Sequence, residues 1–556
     1  ISMIGDGMEV KRTAAVPMSA MWTPGGFAGI GNTISDGSKA DIRESASVSH
    51  IYGQKYVAAE SMTASRNPWA WSPALLKPTA DMELASGLNR FVIHTSVHQP
   101  LDNAPGFSLG PFGQWFTRLE TWSDQAIAWT TYLARNSYML QQGEVVADVA
   151  YLYGELYNIT AISRELPPIL EGYEFDFVNA DALINVLQVQ NGNITSPAGA
   201  SYRILAMDPS TSRMTVPVLK KIKSMVESGM VVCGAKPVET PSNSDDPIEF
   251  EALVNELWPI ESGVNTIGKG KVYIGYTIAQ ALENENIAPD FTYTKPEEDT
   301  ELLYVHRNVD GIDFYWINSR NDRFQDVEAT FRVEGREAEI WHPENGMIED
   351  ASYSIDDDKT TVPLHLSPND AVFVVFRNKA AGMSRTIEPP EEEVLTTVQG
   401  PWEVNFVSKV GMPYESVFES LSPWNENVDE IIKYFSGTGT YVKTIDVPTD
   451  WLSEDQRVCL DLGDVQNLAE VSVNGKSLGV VWKKPFRIDV TDALTEGENT
   501  FEIKVVNAWV NRLIGDEQPG VENKLTFTTN SSYQADSPLK ESGLLGPVQL
   551  IGLSDN

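Results

Sequence analysis

The sequence predicts a multidomain chain in which α/β structure gives way to all-β structure. In order, the expected parts are the C-terminal part of a (β/α)8 barrel (1–142), a flavodoxin-like α/β domain (143–295), a small antiparallel β-sandwich (296–385) and a jelly-roll, sugar-binding-type β-sandwich (394–556). Three observations predict this. The chain has 556 residues, more than one hydrophobic core serves. Strand-like runs alternate with helical patterns through the first half, which points to parallel sheets with helical crossovers. From about residue 301 the pattern is purely β, after an acidic linker around Glu297-Glu298-Asp299, and a second acidic, Pro-containing linker spans Glu388 to Glu393.

In the first part, Thr13 to Trp22 reads as a strand despite Pro17. A Gly-rich loop follows (Pro24 to Gly29), then a helix from Asp41, its expected N-cap, to Tyr52, closed by Gly53. Lys55 to Thr63 is a short buried strand ending in Glu60, followed by a loop with Trp69 and Trp71. A helix over Thr79–Ser86, a strand over Arg90–His98, a loop from Pro105 to Trp115 and a helix over Asp124–Gln141 complete this part. Three strand–helix units are too few for a closed barrel, so Glu60 is assigned to the end of strand seven and His94 and His98 to strand eight. Barrel enzymes carry catalytic residues at the C-terminal ends of strands.

The second part restarts with the apolar strand Val145–Tyr153, continues through Tyr202–Met207, an amphipathic helix over Val216–Ser228 and Met230–Gly234. It has no Gly-x-Gly-x-x-Gly or Walker loop, so no nucleotide site is read there. In the last part, Val471 to Leu478 is a hairpin, because Asn474-Gly475 supplies the positive φ angles of a tight turn.

Composition narrows the chemistry. Lys+Arg number 41 against 78 Asp+Glu, a net charge of −37 that repels nucleic acid and anionic membrane and leaves a neutral substrate as the easier partner. No apolar run is long enough for a membrane span. Cys233 and Cys459 sit in separate apolar runs without metal-ligand spacing. His-Glu-x-x-His, Cys-x-x-Cys and Gly-x-Ser-x-Gly are all absent, which removes support for metalloprotease, thiol-redox and esterase chemistry. Glycoside hydrolysis remains. It needs two carboxylates flanking the scissile bond, with groups that stack on rings and bind hydroxyls.

Glu60 is the expected catalytic carboxylate. His94 and His98 share a face if the strand's period of two runs through both, and are expected to bind sugar hydroxyls or orient Glu60. Trp22, Trp69 and Trp115 are expected to stack on sugar, and Arg118 to bind substrate. For a second carboxylate, Asp102 and Glu120 follow strand eight, Glu44 lies in a helix that a barrel places outside, and Asp6 and Glu9 precede the first strand. None fits well, so the partner is expected upstream of Ile1, in a missing N-terminal part of the same protein. A β-galactosidase-like retaining enzyme and a non-catalytic carbohydrate-binding protein are the other two readings these residues leave open.

Several segments resemble glycoside hydrolase family 106, the α-L-rhamnosidases. They are Asp41 to Ser47 with His50-Ile51-Tyr52-Gly53, Val57-Ala58-Ala59-Glu60-Ser61, Phe91 to Thr95 with His98-Gln99-Pro100, Gly110 to Arg118 and Gly172 to Asn179. Val473-Asn474-Gly475, Trp482 to Phe486 and Asn511 to Asp516 are similar to the family-2-type sugar-binding domain such enzymes carry. The resemblance implies an inverting hydrolase of α-L-rhamnosides with two glutamates, one of which maps onto Glu60, and a calcium ion in the active site. It also implies a periplasmic or secreted bacterial enzyme.

Overall fold

A computed structural model describes residues 5–24, 34–155, 166–453 and 456–554. The Gly-rich loop expected at 24–29 lies, apart from Pro24, outside the described residues. The first part is a three-stranded parallel sheet, β1 (Met18–Trp22), β2 (Ala58–Thr63) and β3 (Arg90–Ile93), in that order. Three helices accompany it: α1 (Asp36–Tyr52), α2 (Pro73–Ala85) and α3 (Ala126–Leu140).

The helix starts differ from expectation for local reasons. Ser35, not Asp41, caps α1, its hydroxyl accepting from the Ser38 N–H. Asp41 instead turns to β1, taking the Ala20 N–H and the Lys11 ammonium. α2 starts at Pro73, where a missing N–H costs nothing, and runs through Pro78. Strand β1 starts only after Pro17, and β3 stops at Ile93, five residues short of the expected end.

Register fixes the faces of this sheet. Ala20 pairs with Glu60, and Glu60 with Val92, so these side chains share one face. Met21 and Ala59 point the other way, into a core with Ile42, Leu76, Ala80 and Met82 from α1 and α2. The Glu60 face is only partly covered by the described residues: Met18 and Val92 are 44% and 42% exposed, while Ala58 is buried. Parallel sheets ordinarily have both faces buried.

The second sheet contains five parallel strands, β4 (Val149–Leu152), β5 (Phe175–Val178), β6 (Ile204–Met207), β7 (Val231–Cys233) and β9 (Gly270–Ile274), with β8 (Gly263–Ile267) antiparallel at the edge. Across the sheet the parallel strands stand in the order β5-β4-β6-β7-β9, the 2-1-3-4-5 order of flavodoxin-like sheets. A sandwich of five- and six-stranded sheets follows, with strands from Phe291 to Arg385, and its six-stranded sheet recruits Glu144–Val145 as an edge. The last sandwich pairs a four- with a six-stranded sheet. Its first strand is Glu391–Thr397, so the acidic stretch read as linker is partly strand. The hairpin turn at Asn474 (φ 53°) and Gly475 (φ 77°) is as expected.

Helix α3 is the hub of these parts. Trp129 stacks on Tyr132 with ring centroids 5.7 Å apart, and Trp482 of the last sandwich packs edge-on against both. Beside them lies a buried polar network. Asp81 of α2 accepts from Lys77, Tyr132 and Asn318, while Lys483 reaches Glu344 at 2.9 Å and Ser367 at 3.0 Å.

Candidate active site

The C-terminal ends of β2 and β3 carry a small polar cluster. Thr63 donates its hydroxyl to Glu60 Oε1 at 2.9 Å, and its oxygen lies 3.2 Å from His94 Nδ1. With Thr63 donating to the carboxylate, its oxygen is left to accept from the Nδ1–H of His94. His94 Nδ1 is itself 3.7 Å from Glu60 Oε1. Glu60 is 38% exposed, on the partly open face. Trp22, opposite Thr63 in the register and half-buried, lies 5.7 Å from the Phe112 ring.

A break in β2 brings Thr63 to Glu60. Three positions along a regular strand point to the opposite face. Met62, however, takes the left-handed conformation (φ 60°), and the register shifts so that Met21 faces Ser61 while Trp22 faces Thr63. This irregularity returns Thr63 to the Glu60 face, as bulges beside active sites do. Two buried side chains hold the Met62 backbone. Glu83 Oε1 accepts its N–H at 3.1 Å, and Gln114 Nε2 donates to its carbonyl at 2.7 Å. Gln114 also donates its backbone N–H to the His94 carbonyl at 2.6 Å, which ties the ends of both strands together. Burial pushes the Glu83 carboxyl well above the usual carboxylate range, against the pull of Ser61 and the Met62 N–H. Gly113, which precedes Gln114, has φ +104°, and a Cβ there would meet the Thr95 methyl at 2.8 Å, so only glycine fits.

The sequence-predicted residues divide. Glu60 and His94 come together, and Trp22 stands across the sheet from Thr63, beside Phe112. His98 does not: β3 ends at Ile93, the period of two fails beyond it, and His98 is exposed in the following loop. Trp69 and Trp115 are buried with ring centroids 6.0 Å apart, in a core with Ala104, Leu119, Trp509 and Leu513. The Trp69 indole donates to Thr528 at 3.1 Å. Both rings are enclosed by protein and offer no face to a sugar, which corrects their expected role. Arg118 pairs with Asp102 at 2.6 Å and donates to the Gln99 and Leu101 carbonyls, so it fastens its own loop. Glu120 is buried, and burial raises its carboxyl to about 8. Glu44 is enclosed beside Lys11 with its carboxyl raised to about 7 by burial. Thr63, Glu83 and Gln114 were not singled out in the sequence. Their one signal is that Thr63 follows Glu60 by three, and it becomes informative only once the irregularity at Met62 is known.

The segments at this cluster decide the family. Residues 1–355 match the α-L-rhamnosidases of glycoside hydrolase family 106. The chain belongs to that family. Residues 423–536 of this family 106 chain match the galactose-binding domain-like region of glycosyl hydrolase family 2. A rhamnosidase from Novosphingobium sp. PP1Y is 42% identical and superposes with a TM-score of 0.94 over 99% of this chain and 52% of its own. A Formosa agariphila protein with a provisional β-glucuronidase name is 26% identical over 98% of this chain and 66% of its own length. The chain thus spans about half of the one relative and just under two thirds of the other.

Proposed function

We propose that this chain is the C-terminal portion of an inverting α-L-rhamnosidase, with β1, β2 and β3 forming the last strands of a (β/α)8 barrel. The observation that carries the reading is Glu60, at the end of a parallel strand on a face that the described residues leave partly open, with Thr63 and His94 in reach. The partly open face accounts for Met18 and Val92: residues N-terminal to this chain would cover it and close the barrel. Those residues would also supply the second carboxylate. In an inverting site one carboxyl protonates the leaving oxygen while the other activates water, with about 6.5–9.5 Å between them. Glu60 fills one of these two roles. Thr63 fixes one carboxylate oxygen, and His94 is placed to hold Thr63 and a substrate hydroxyl.

Calcium enters this proposal only as an ion shared with residues outside the chain. Calcium takes about six to eight oxygen ligands. The strand-end cluster offers one carboxylate and one hydroxyl, and no group of three His, Cys, Asp or Glu converges among the described residues. The described residues of this chain therefore do not make a calcium site by themselves. No helix among the described residues is long and apolar enough to cross a membrane. A periplasmic or secreted location is part of the proposal, and cell fractionation tests it.

The decisive experiment is Glu60→Gln in the full-length enzyme, assayed on an aryl α-L-rhamnoside. Loss of a positioned acid or base lowers kcat by about 10²–10⁴-fold. Wild-type turnover by the variant would overturn the assignment. An NMR time course of the wild-type product should show the anomer inverted; retention would transfer the chain to a retaining mechanism.

A further inference from the structure

A cavity of about 370 Å³ lies at the end of the β1–β3 sheet opposite to the strand-end cluster. Lys55 and Asn89, which precede β2 and β3, line it together with His50 from the last turn of α1. Arg307, from the first sandwich, forms another wall. This arginine is only 9% exposed, and buried arginines are ordinarily paired with a carboxylate. Its Nε donates to the Gln142 carbonyl at 2.5 Å and its Nη2 to the Gly143 carbonyl at 2.6 Å, so one edge of the guanidinium caps the end of α3. Among the described residues it has no other hydrogen bond and no ion pair. The chain holds 78 acidic residues against 41 basic ones, so the missing partner does not reflect a shortage of carboxylates. Burial lowers the guanidinium to about 10, which the charges of Glu144 and Asp176 only partly oppose. Asp176 is itself taken by His50 and Tyr202. The Nδ1 of His50 lies 3.0 Å from both Asp176 oxygens, which fixes a proton on Nδ1 and leaves Nε2 as an acceptor without a partner among the described residues.

We infer that this cavity binds a small hydroxylated carboxylate, its carboxylate on the free edge of Arg307 and a hydroxyl on His50 Nε2. The free edge, Nη1 with the second hydrogen of Nη2, is the fork that a carboxylate accepts with both oxygens. A carboxylate without hydroxyls would meet Arg307 and leave His50 unpartnered; a neutral polyol would do the reverse. The site does not rest on the function proposed above. It lies at the N-terminal ends of β2 and β3, whereas barrel chemistry sits at the C-terminal ends. A ligand there touches α1 and the first sandwich at once, and stabilises their packing without entering the reaction.

The test is calorimetry and thermal melting of the whole protein with D-gluconate as probe, beside propionate, which lacks the hydroxyls, and D-sorbitol, which lacks the carboxylate. Gluconate should bind saturably and raise the Tm in step with its concentration. Propionate should bind more weakly and sorbitol not at all. Arg307→Lys keeps the charge but loses the fork, so affinity for gluconate should fall about tenfold or more. Because Arg307 also caps α3, this variant is read against Glu144→Gln, which leaves both hydrogen bonds of Arg307 in place. Glu144 lines the same cavity, and removing its charge should tighten gluconate binding about threefold without lowering the Tm of the free protein. Glu60→Gln should bind gluconate as the wild type does. The inference is overturned if gluconate does not bind, if sorbitol binds equally well, or if Arg307→Lys leaves the affinity unchanged. It is also overturned if Glu144→Gln weakens binding or lowers the Tm, which would make Glu144 the counter-charge of Arg307. Loss of binding in Glu60→Gln would place the ligand at the strand ends and overturn it too.

Discussion

Glu60 is not an isolated side chain, and the residues behind it are as informative as those beside it. Glu83 shares no surface with solvent, yet it supplies the acceptor for the Met62 N–H that keeps the end of β2 in its irregular path. Burial pushes its carboxyl well above the usual carboxylate range, and Glu83→Gln keeps both its shape and an oxygen acceptor, so that variant should fold and turn over as the wild type does. Glu83→Met leaves a buried N–H unpartnered. It should cost about 1–3 kcal/mol in urea unfolding, and lower the kcat of the full-length enzyme by releasing Thr63 from Glu60. The contrast between the two variants is the measurement. Glu60 itself was legible because an apolar strand ended in a carboxylate with family-like flanks. Thr63 was not, since alternation assigns it to the other face. His98 was misplaced by the same assumption, a period of two carried beyond the strand's real end.

At the scale of elements, α2 and α3 are joined to both sandwiches through charges that have left water. Lys483 is buried against Glu344 and Asp370; the two acids raise its ammonium further above the ordinary lysine range despite burial. Asp370 in turn is held below the usual carboxylate range by Lys483 and Lys77, against its own burial. Removing one partner strands the others. Lys483→Met should therefore destabilise by about 3–5 kcal/mol, read as a lowered urea midpoint, although methionine matches the lysine stem in volume. The strands and helices were largely legible from periodicity, because apolar spacing is set locally. Their starts were less so. Ser35 outcompeted Asp41 as a cap, and Pro73 opened a helix that contains a second proline, because tertiary contacts decide among several permitted ends.

Across the whole molecule, Glu120, Glu44 and Glu174 contribute to the response to pH, in the same direction as Glu83. Burial raises Glu120 to about 8, and Glu44 and Glu174 to about 7, from an ordinary value of 4.5. As pH climbs past 4.5 the unfolded chain releases protons that the folded one still holds. Their effect on stability is therefore a loss, which grows with rising pH until these groups ionise in the fold, between about 7 and 8. Melting followed by circular dichroism should give a lower Tm at pH 8 than at pH 5.5, and Glu120→Gln should flatten that slope. Asp176 and Asp370 are depressed and act in the opposite direction at more acidic pH: the stability they contribute is lost as pH falls through their range. The sequence allowed the succession of sheets to be read. It did not reveal that Trp69 and Trp115 belong to an interface, because their partners Trp509 and Thr528 lie in another domain.

That interface includes a parallel pairing of Phe527–Thr528 with Pro105–Gly106, in the loop that follows β3. The Ser108 N–H donates to the Thr529 hydroxyl across 421 positions of sequence. At a synthesis rate of about 5–20 residues per second, the loop waits roughly 20–80 s on the ribosome for this backing. During that interval the strand-end cluster has its local partners but not its outer support. Nascent chains stalled before residue 527 should be cut by added protease within 99–115, where the released protein resists. Cleavage there would make assembly of the strand-end cluster a late event, timed by translation of the last domain rather than by folding of the sheet that carries Glu60.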